Sequence, residues 1–241
     1  MAANPPINRR LGERPLYIWI AILTPLIVLA GFGRSYYLKG FFGTPALPGL
    51  IVHIHGLVMS LWVILFVVQV ALVARNRTRT HRQLGVLGAF LALMVFCVGT
   101  LTALLAAARG DAIDVPPLQF LVIPLGDMVL FALLVGTALY YRRRLDYHKR
   151  LMLLAALNLL TPAIARIPLN FIQTGGPIVF FGLTDILIIG CIAFDTIKNR
   201  RLHPAFLWGG ILLVVCQPLR ILIAPTDAWI RIATTLVNLV K

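Results

Sequence analysis

The chain is dominated by apolar runs that are long enough for a helix to cross a lipid bilayer. Such a helix needs about 20 mainly apolar residues, and its backbone groups must bond to one another because the hydrocarbon core holds no water. The composition agrees: 60% of the 241 residues are hydrophobic and only 12% are charged, whereas a soluble domain carries about 25% charged residues. We therefore predict an all-α fold, a polytopic transmembrane helical bundle that forms a single domain over residues 1–241. Seven runs meet the length criterion: 16–33, 50–74, 84–108, 118–141, 151–170, 177–197 and 205–224.

The positive charges lie on one side of this predicted bundle. Most of the 22 Lys and Arg residues belong to the N-terminal segment and to the loops after the second, fourth and sixth runs, within 75–82, 142–150 and 198–201. Such residues stay in the cytoplasm during insertion, which predicts a multi-pass protein of the bacterial inner membrane with its N-terminus inside and its C-terminus outside. After the last run, residues 226–240 are expected to form an outer interfacial helix.

The same charge distribution limits the partners. A net charge of +14 would suggest nucleic acid in a soluble protein, but here the charge is divided among short loops that determine topology. We therefore exclude a nucleic-acid partner and expect the basic loops to contact anionic headgroups of the inner leaflet. A partner membrane subunit is also compatible with the small residues spaced along the third run.

Two segments of the sequence contain the same four polar features in the same order. Each has an aspartate in one run, an arginine turn, a histidine at the start of the next run, and an arginine deep in that run. The two sets are Asp127, Arg142, His148 and Arg166, and Asp185, Arg200, His203 and Arg220. Both units begin on the outer side, so we predict parallel helical-hairpin repeats related by an axis along the membrane normal.

Six polar side chains fall in the outer half of the predicted bilayer. A rise of about 1.5 Å per residue puts Asp127 and Asp185 roughly 22 Å from the cytoplasmic turns. Ionisable groups at such depth are costly, so they face the bundle interior and are partnered there. The six residues are His53, His55, Asp127, Arg166, Asp185 and Arg220.

Two interpretations of this outer set stay open. In the first, the aspartates and arginines form two structural ion pairs, Asp127 with Arg166 and Asp185 with Arg220, which hold each hairpin together or cross between the hairpins. In the second, the set lines a pocket in which both aspartates are catalytic proton acceptors and both arginines bind an anionic group of a cofactor. A metal ion in that pocket would be held by His53, His55, Asp127 and Asp185.

Three further histidines mark the cytoplasmic starts of helices. His81, His148 and His203 each follow arginines in the sequence. Arginine and a helix N-terminus together attract anions, which favours the phosphates of inner-leaflet lipids. The alternative is that these histidines bind a cofactor, because a neutral imidazole is a common haem ligand and the arginines can hold the propionates.

The stretch His53-Ile-His55-Gly-Leu…Trp62…Gln69…Arg75…His81-Arg-Gln-Leu-Gly85 resembles bacterial cytochrome b561-like proteins and haem-oxidase accessory membrane proteins. The resemblance covers residues 53–85 and implies haem or quinone chemistry at histidines near helix ends. A haem with two histidine ligands needs one from each of two facing helices at one depth. Both outer histidines lie on the second span, whereas an inner haem can use two of the three inner histidines.

The functional hypothesis is an extracytoplasmic-side site that binds a metal ion, haem or quinone for redox chemistry. The chain has no HExxH helix, no GxSxG elbow and no phosphate-binding P-loop, so it lacks the signatures of those hydrolases. Two alternatives remain. The protein is either a non-enzymatic accessory or assembly subunit of a membrane complex, with purely structural polar pairs, or a transporter of a small solute or anion.

Overall fold

The computed structural model describes residues 7–111 and 115–241, and these residues form helices and connecting turns without a strand. A π-helical turn, Gly33–Tyr37, follows the first helix. In chain order the helices are α1 (Ile7–Phe32), α2 (Lys39–Phe42), α3 (Leu50–Ala74), α4 (Thr78–Arg109), α5 (Pro117–Phe120), α6 (Val122–Tyr140), α7 (Leu145–Asn158), α8 (Thr161–Ile164), α9 (Asn170–Asn199), α10 (Pro204–Ile223) and α11 (Asp227–Asn238).

The all-helical prediction is confirmed, and six stretches of the described chain are long and apolar enough to cross a membrane. These helices indicate an integral membrane protein. The six stretches are Glu13–Tyr37, Leu50–Ala74, Thr78–Arg109, Pro117–Tyr140, Asn170–Asn199 and Pro204–Ile223.

The fifth predicted span, 151–170, is the one that has no counterpart among these six stretches, and it does not form one continuous helix. It is divided between α7 and α8, and Pro162 lies in the first turn of α8. A proline has no N–H, and its ring collides with the carbonyl four residues earlier. That carbonyl belongs to Asn158, the residue at which α7 ends. Proline thus explains why the apolar run breaks there.

The broken span nevertheless forms the centre of the molecule. Leu153, Leu154, Ala155 and Leu157 of α7 have no exposed surface. The helices α1, α6, α9 and α10 pack around α7, and α8 packs against α1 and α9. The apolar part of α7, residues 151–157, is buried on nearly every side and therefore belongs to the core rather than to the lipid-facing surface.

Side-chain contacts bring the arginine-rich loops together at one end of the bundle, which we call the basic end (residues 75–77, 141–144 and 199–203). Arg14 of α1 donates to the Asn76 Oδ1 atom at 2.8 Å. Glu13 contacts Lys149 at the start of α7. The predicted grouping of the N-terminal segment with these loops is therefore present. We call the opposite end of the bundle the far end.

Two local features position the far end. Gly31 of α1 lies directly against the backbone of Ala163, where a Cβ atom would overlap the Ala163 carbonyl. In α9, Gly176 has φ 58° and ψ −152°, and Pro177 follows it, so the helix is kinked before its apolar part begins. The predicted helix within 226–240 is α11, and the Thr226 hydroxyl caps it by accepting from the Trp229 N–H at 3.3 Å.

Candidate functional site

A buried ion pair joins α6 to α10 in the far half of the bundle. The Arg220 Nη1 atom donates to Asp127 Oδ1 at 2.5 Å and to the Ile123 carbonyl at 2.9 Å. The exposed fraction is 1% for Asp127 and 6% for Arg220. Glycine at position 126 makes this approach feasible, because a Cβ atom there would collide with the Arg220 side chain.

Asp185 of α9 makes no ion pair within the described residues, because Arg220 pairs with Asp127 instead. Gln217 of α10 is buried one helical turn before Arg220. Phe181, one turn before Asp185, stacks under the Arg220 guanidinium at 5.0 Å. We call Asp127, Arg220, Asp185 and Gln217 the far polar cluster.

Several acceptor oxygens of the far polar cluster are buried without a donor. They are Asp127 Oδ2, Asp185 Oδ1 and Gln217 Oε1. Buried polar atoms in proteins almost always have partners, so an unpartnered one needs an explanation. Because all three are acceptors, the cluster is short of donors.

The prediction of ion pairs within each hairpin is corrected by this geometry, whereas one pair that crosses between the hairpins is present. Asp127 pairs with Arg220, across the two predicted repeat units, and not with Arg166. Arg166 follows α8 in a turn, donates to the Pro162 carbonyl at 2.9 Å and stacks on Phe32 at 5.1 Å. The break between α7 and α8 moves Arg166 away from α6, whereas Arg220 stays in the continuous helix α10. The two deep arginines therefore have different surroundings.

The histidines of α3 do not join the far polar cluster. His53 is exposed, with its ring 6.2 Å from that of Tyr36, while His55 is half-buried and its Nδ1 atom has no partner. Within residues 7–111 and 115–241, no three His, Cys, Asp or Glu side chains are grouped as a metal ion requires. The predicted metal set of His53, His55, Asp127 and Asp185 is thus not gathered.

At the basic end, two of the three predicted histidines come together. His81 is the fourth residue of α4 and His148 is the fourth residue of α7. Their ring centroids are 6.4 Å apart, and the ring planes are inclined by 77°. The two side chains therefore belong to different helices and share one depth.

Hydrogen bonds define the tautomers of this histidine pair. The His148 Nδ1 atom lies 2.8 Å from the Ala138 carbonyl. A carbonyl only accepts, so Nδ1 carries the proton and Nε2 has a free lone pair. The Gln69 amide lies 2.6 Å from His81 Nδ1, in the orientation that also accepts from the Gly85 N–H at 3.1 Å. In that orientation Gln69 donates to His81 Nδ1.

The third histidine, His203, has a separate role as the N-cap of α10. Its Nδ1 atom accepts from the Ala205 N–H at 3.1 Å, and its Nε2 atom bonds to Asp146 Oδ2 at 3.1 Å. Burial lowers the pKa of His203 below its ordinary value of 6.5, which the bond to Asp146 only partly offsets. Burial acts to raise the pKa of Asp146, but the bond from His203 and backbone donors outweigh it, and that pKa lies below its ordinary value of 3.8.

One buried ionic network was not predicted. Arg150 of α7 donates to both carboxylate oxygens of Asp195, at 3.0 and 2.7 Å, and to Glu13 at 3.0 Å. Lys149 also bonds Glu13. Only eight residues of the chain are acidic, and Asp195 lies inside the predicted span 177–197. An acid in a span indicates a buried partner, so this signal was present in the sequence.

Comparison with known proteins assigns no family to this chain, because no family model, no curated protein and no solved structure matches it.

Proposed function

We propose that this integral membrane protein is a redox protein that binds haem between His81 and His148, near the cytoplasmic surface expected for the basic end. The observation that carries the proposal is the separation of the two imidazole rings. The two histidines also come from two different helices, α4 and α7, and lie at one depth, as a haem with two histidine ligands requires.

His81 and His148 would hold the iron of the haem through one imidazole nitrogen each. Their ring centroids are 6.4 Å apart, so a single metal atom could be bound between the two side chains. A direct N–H···N hydrogen bond would need a shorter separation, of about 5.2 Å.

The surroundings of His148 suit a ligand role. Histidines that bind metals usually donate their other N–H to a carbonyl or carboxylate, which fixes the ring and makes it more basic. His148 donates to the Ala138 carbonyl in this way. For His81 to bind through Nε2, Gln69 must turn its oxygen toward Nδ1, and this makes Gln69 the positioning residue of the site.

Arginines near the two histidines can hold the carboxylates of the haem. Arg77 and Arg144 immediately precede α4 and α7, and Arg82 follows His81. All three side chains are exposed. When bound, haem supplies a one-electron iron couple, whose potential depends on the ligands and their hydrogen bonds. The protein supplies two imidazoles, the groups that orient them, and positive charge for the propionates.

The alternative is an accessory subunit without a cofactor. It is favoured by the Arg150 network, in which two cations meet two carboxylates and which therefore resembles a structural ion cluster more than a site. This alternative assigns all charged pairs to folding.

The test is the haem content of protein purified in a mild detergent from cells supplied with haem precursor. We expect a near-stoichiometric haem absorbance spectrum and matching iron by elemental mass spectrometry. Replacing either ligand, His81→Ala or His148→Ala, should abolish the spectrum of a bis-histidine haem. The matched control is His53→Ala, an exposed histidine at the far end, which should keep the haem.

Two results would overturn the proposal. One is wild-type protein without haem that also fails to bind added hemin. The other is haem that persists unchanged in both ligand variants. In the first case the accessory role becomes the better description, and pull-down of a partner membrane subunit is the next measurement.

A further inference from the structure

A small cavity lies between α1, α3 and the end of α7, at the point where the central helix breaks. Its volume is about 20 Å³, and a space that holds one water molecule needs about 10–15 Å³. The walls are mostly apolar and include Phe66, Leu159 and Leu160, but Thr24 of α1 and Trp62 of α3 supply polar side chains. The cavity therefore has the size of one water molecule and two side chains that can bind it.

Both polar side chains are buried without a hydrogen-bond partner among the residues that the structure describes. The exposed fraction is 3% for Thr24 and 4% for Trp62, and the unpartnered atoms are the hydroxyl oxygen and Nε1. Both residues lie near the middle of stretches that are long enough to cross a membrane, Glu13–Tyr37 and Leu50–Ala74. The hydrocarbon core at that depth contains no bulk water, so an unbonded O–H or N–H group is costly there.

Proline at position 25 leaves α1 short of a further hydrogen bond. It has no N–H, so the carbonyl of Ala21, four residues earlier, lacks the donor that it has in a regular helix. Ala21, Thr24 and Val28 follow one another at helical spacing and lie on the same face of α1. In membrane helices, carbonyls freed by proline are bonded by Ser or Thr side chains or by ordered water. The Thr24 hydroxyl makes no such bond, which leaves water for this role.

We infer that one water molecule binds in this cavity and joins α1 to α3. It accepts a hydrogen bond from the Trp62 Nε1–H group, and it donates to the Thr24 hydroxyl and to the Ala21 carbonyl. Buried waters in proteins typically make about three hydrogen bonds of this kind. A single molecule thus satisfies one donor of α3 and two acceptors of α1, beside the break in the central helix. This inference does not depend on the haem proposal.

The experiment is ultraviolet resonance Raman spectroscopy of the purified protein, because the indole bands of tryptophan differ between bonded and unbonded N–H groups. The difference between the wild type and Trp62→Phe isolates the bands of Trp62. The matched reference is Trp229, whose Nε1 atom donates to the Leu118 carbonyl at 2.8 Å. Its bands are isolated with Trp229→Phe. We expect the bands of Trp62 at the hydrogen-bonded position that Trp229 defines.

A second variant tests whether the partner of Trp62 is water. Val63 also lines the cavity, and Val63→Ile adds a carbon atom that takes the place of the water. The bands of Trp62 should then move to the unbonded position. The control is Thr102→Val, because the Thr102 hydroxyl bonds to the Val98 carbonyl of its own helix. In this control the bands should stay unchanged.

The sign of one stability change separates a hydrated cavity from a dry one. Thr24→Val keeps the shape of the side chain and removes the hydroxyl. If water is bound, the variant loses a hydrogen bond and should unfold at a lower temperature than the wild type. In a dry cavity it removes an unbonded polar group and should unfold at a higher temperature. That higher temperature overturns the inference. So do an unbonded Trp62 N–H in the wild type and bands that stay at the bonded position in Val63→Ile.

Discussion

Arg150 and Asp195 form a two-pronged ion pair in the interior of the bundle, with N–O distances of 3.0 and 2.7 Å and with exposed side-chain fractions of 3% and 0%. Arg150 lies near the start of α7 and Asp195 near the end of α9, so the pair ties the central helix to its neighbour at the basic end. Glu13 of α1 bonds to the same guanidinium. Three helices are thus held at one point.

Removing one partner of this pair should destabilise the protein strongly. Asp195→Asn leaves the Arg150 charge incompletely neutralised in the interior, which costs about 3 kcal/mol. The measurement is the unfolding free energy in detergent, with Asp227→Asn as the exposed control. The triple replacement Arg150→Met, Asp195→Leu and Glu13→Gln should destabilise the protein less than Asp195→Asn alone, because it removes the buried guanidinium together with its carboxylate partners. A single variant as stable as the wild type would contradict the structural role of the pair.

A backbone contact between α1 and α8 leads to a second prediction. In Gly31→Ala the new methyl group meets the Ala163 backbone, which cannot move aside as a side chain can, so the helices must separate. Overpacking of this kind costs about 1–3 kcal/mol. Gly136→Ala is the matched control, because no atom lies within 4 Å of its added Cβ and alanine favours helix by about 1 kcal/mol. Equal thermal stability of the two variants would exclude the close contact.

Substitutions of Gln69 should change the reduction potential and the haem affinity of the proposed site. In Gln69→Glu the carboxylate accepts a hydrogen bond from the Nδ1–H group of His81. The Nε2 atom then keeps its lone pair for iron and the ring becomes more basic, so the reduction potential should fall. Gln69→Leu removes the orienting bond and should weaken haem binding about 10-fold or more. Hemin titration and redox titration measure these effects. If both variants keep the wild-type potential, Gln69 does not act through His81.

We expect His203, the N-cap of α10, to make the protein less stable in mild acid. Because the pKa of His203 is lowered in the folded protein, the unfolded chain binds the proton first as the pH falls. The contribution of neutral His203 to the free energy of unfolding is therefore fully present above about pH 6.5. It decreases as the pH falls from there through the pKa of His203 in the folded protein. Protonation also removes the lone pair that accepts from the Ala205 N–H.

Thermal unfolding between about pH 7.5 and 5.5 tests this prediction. His203→Asn is the comparison, because asparagine is a good N-cap and does not titrate. The wild type should lose more stability over this range than the variant does. Parallel curves for the two proteins would show that His203 does not control the acid response. The lowered pKa of Asp146 adds a further loss only below about pH 3.8.

The sequence by itself determined the class of fold and the arrangement of the basic loops. Both depend on short-range information: a run of about 20 apolar residues has to be helical in a bilayer, and loop charge follows directly from composition. The same information placed Asp127 and Arg220 at similar depth. It could also indicate that His81 and His148 begin successive helical units at one end of the bundle.

Only the tertiary structure decided which of these residues meet. Two charged side chains at the same depth meet only if the rotation and crossing of their helices bring them together. Asp127 therefore pairs with Arg220, across the predicted repeat units. Arg166 has no acid partner among the described residues and donates to a carbonyl instead. Pro162 breaks the fifth span through a clash with one carbonyl, and the fragments become the core. The contact between the rings of His81 and His148 likewise results from packing between two helices, α4 and α7, that are distant in sequence.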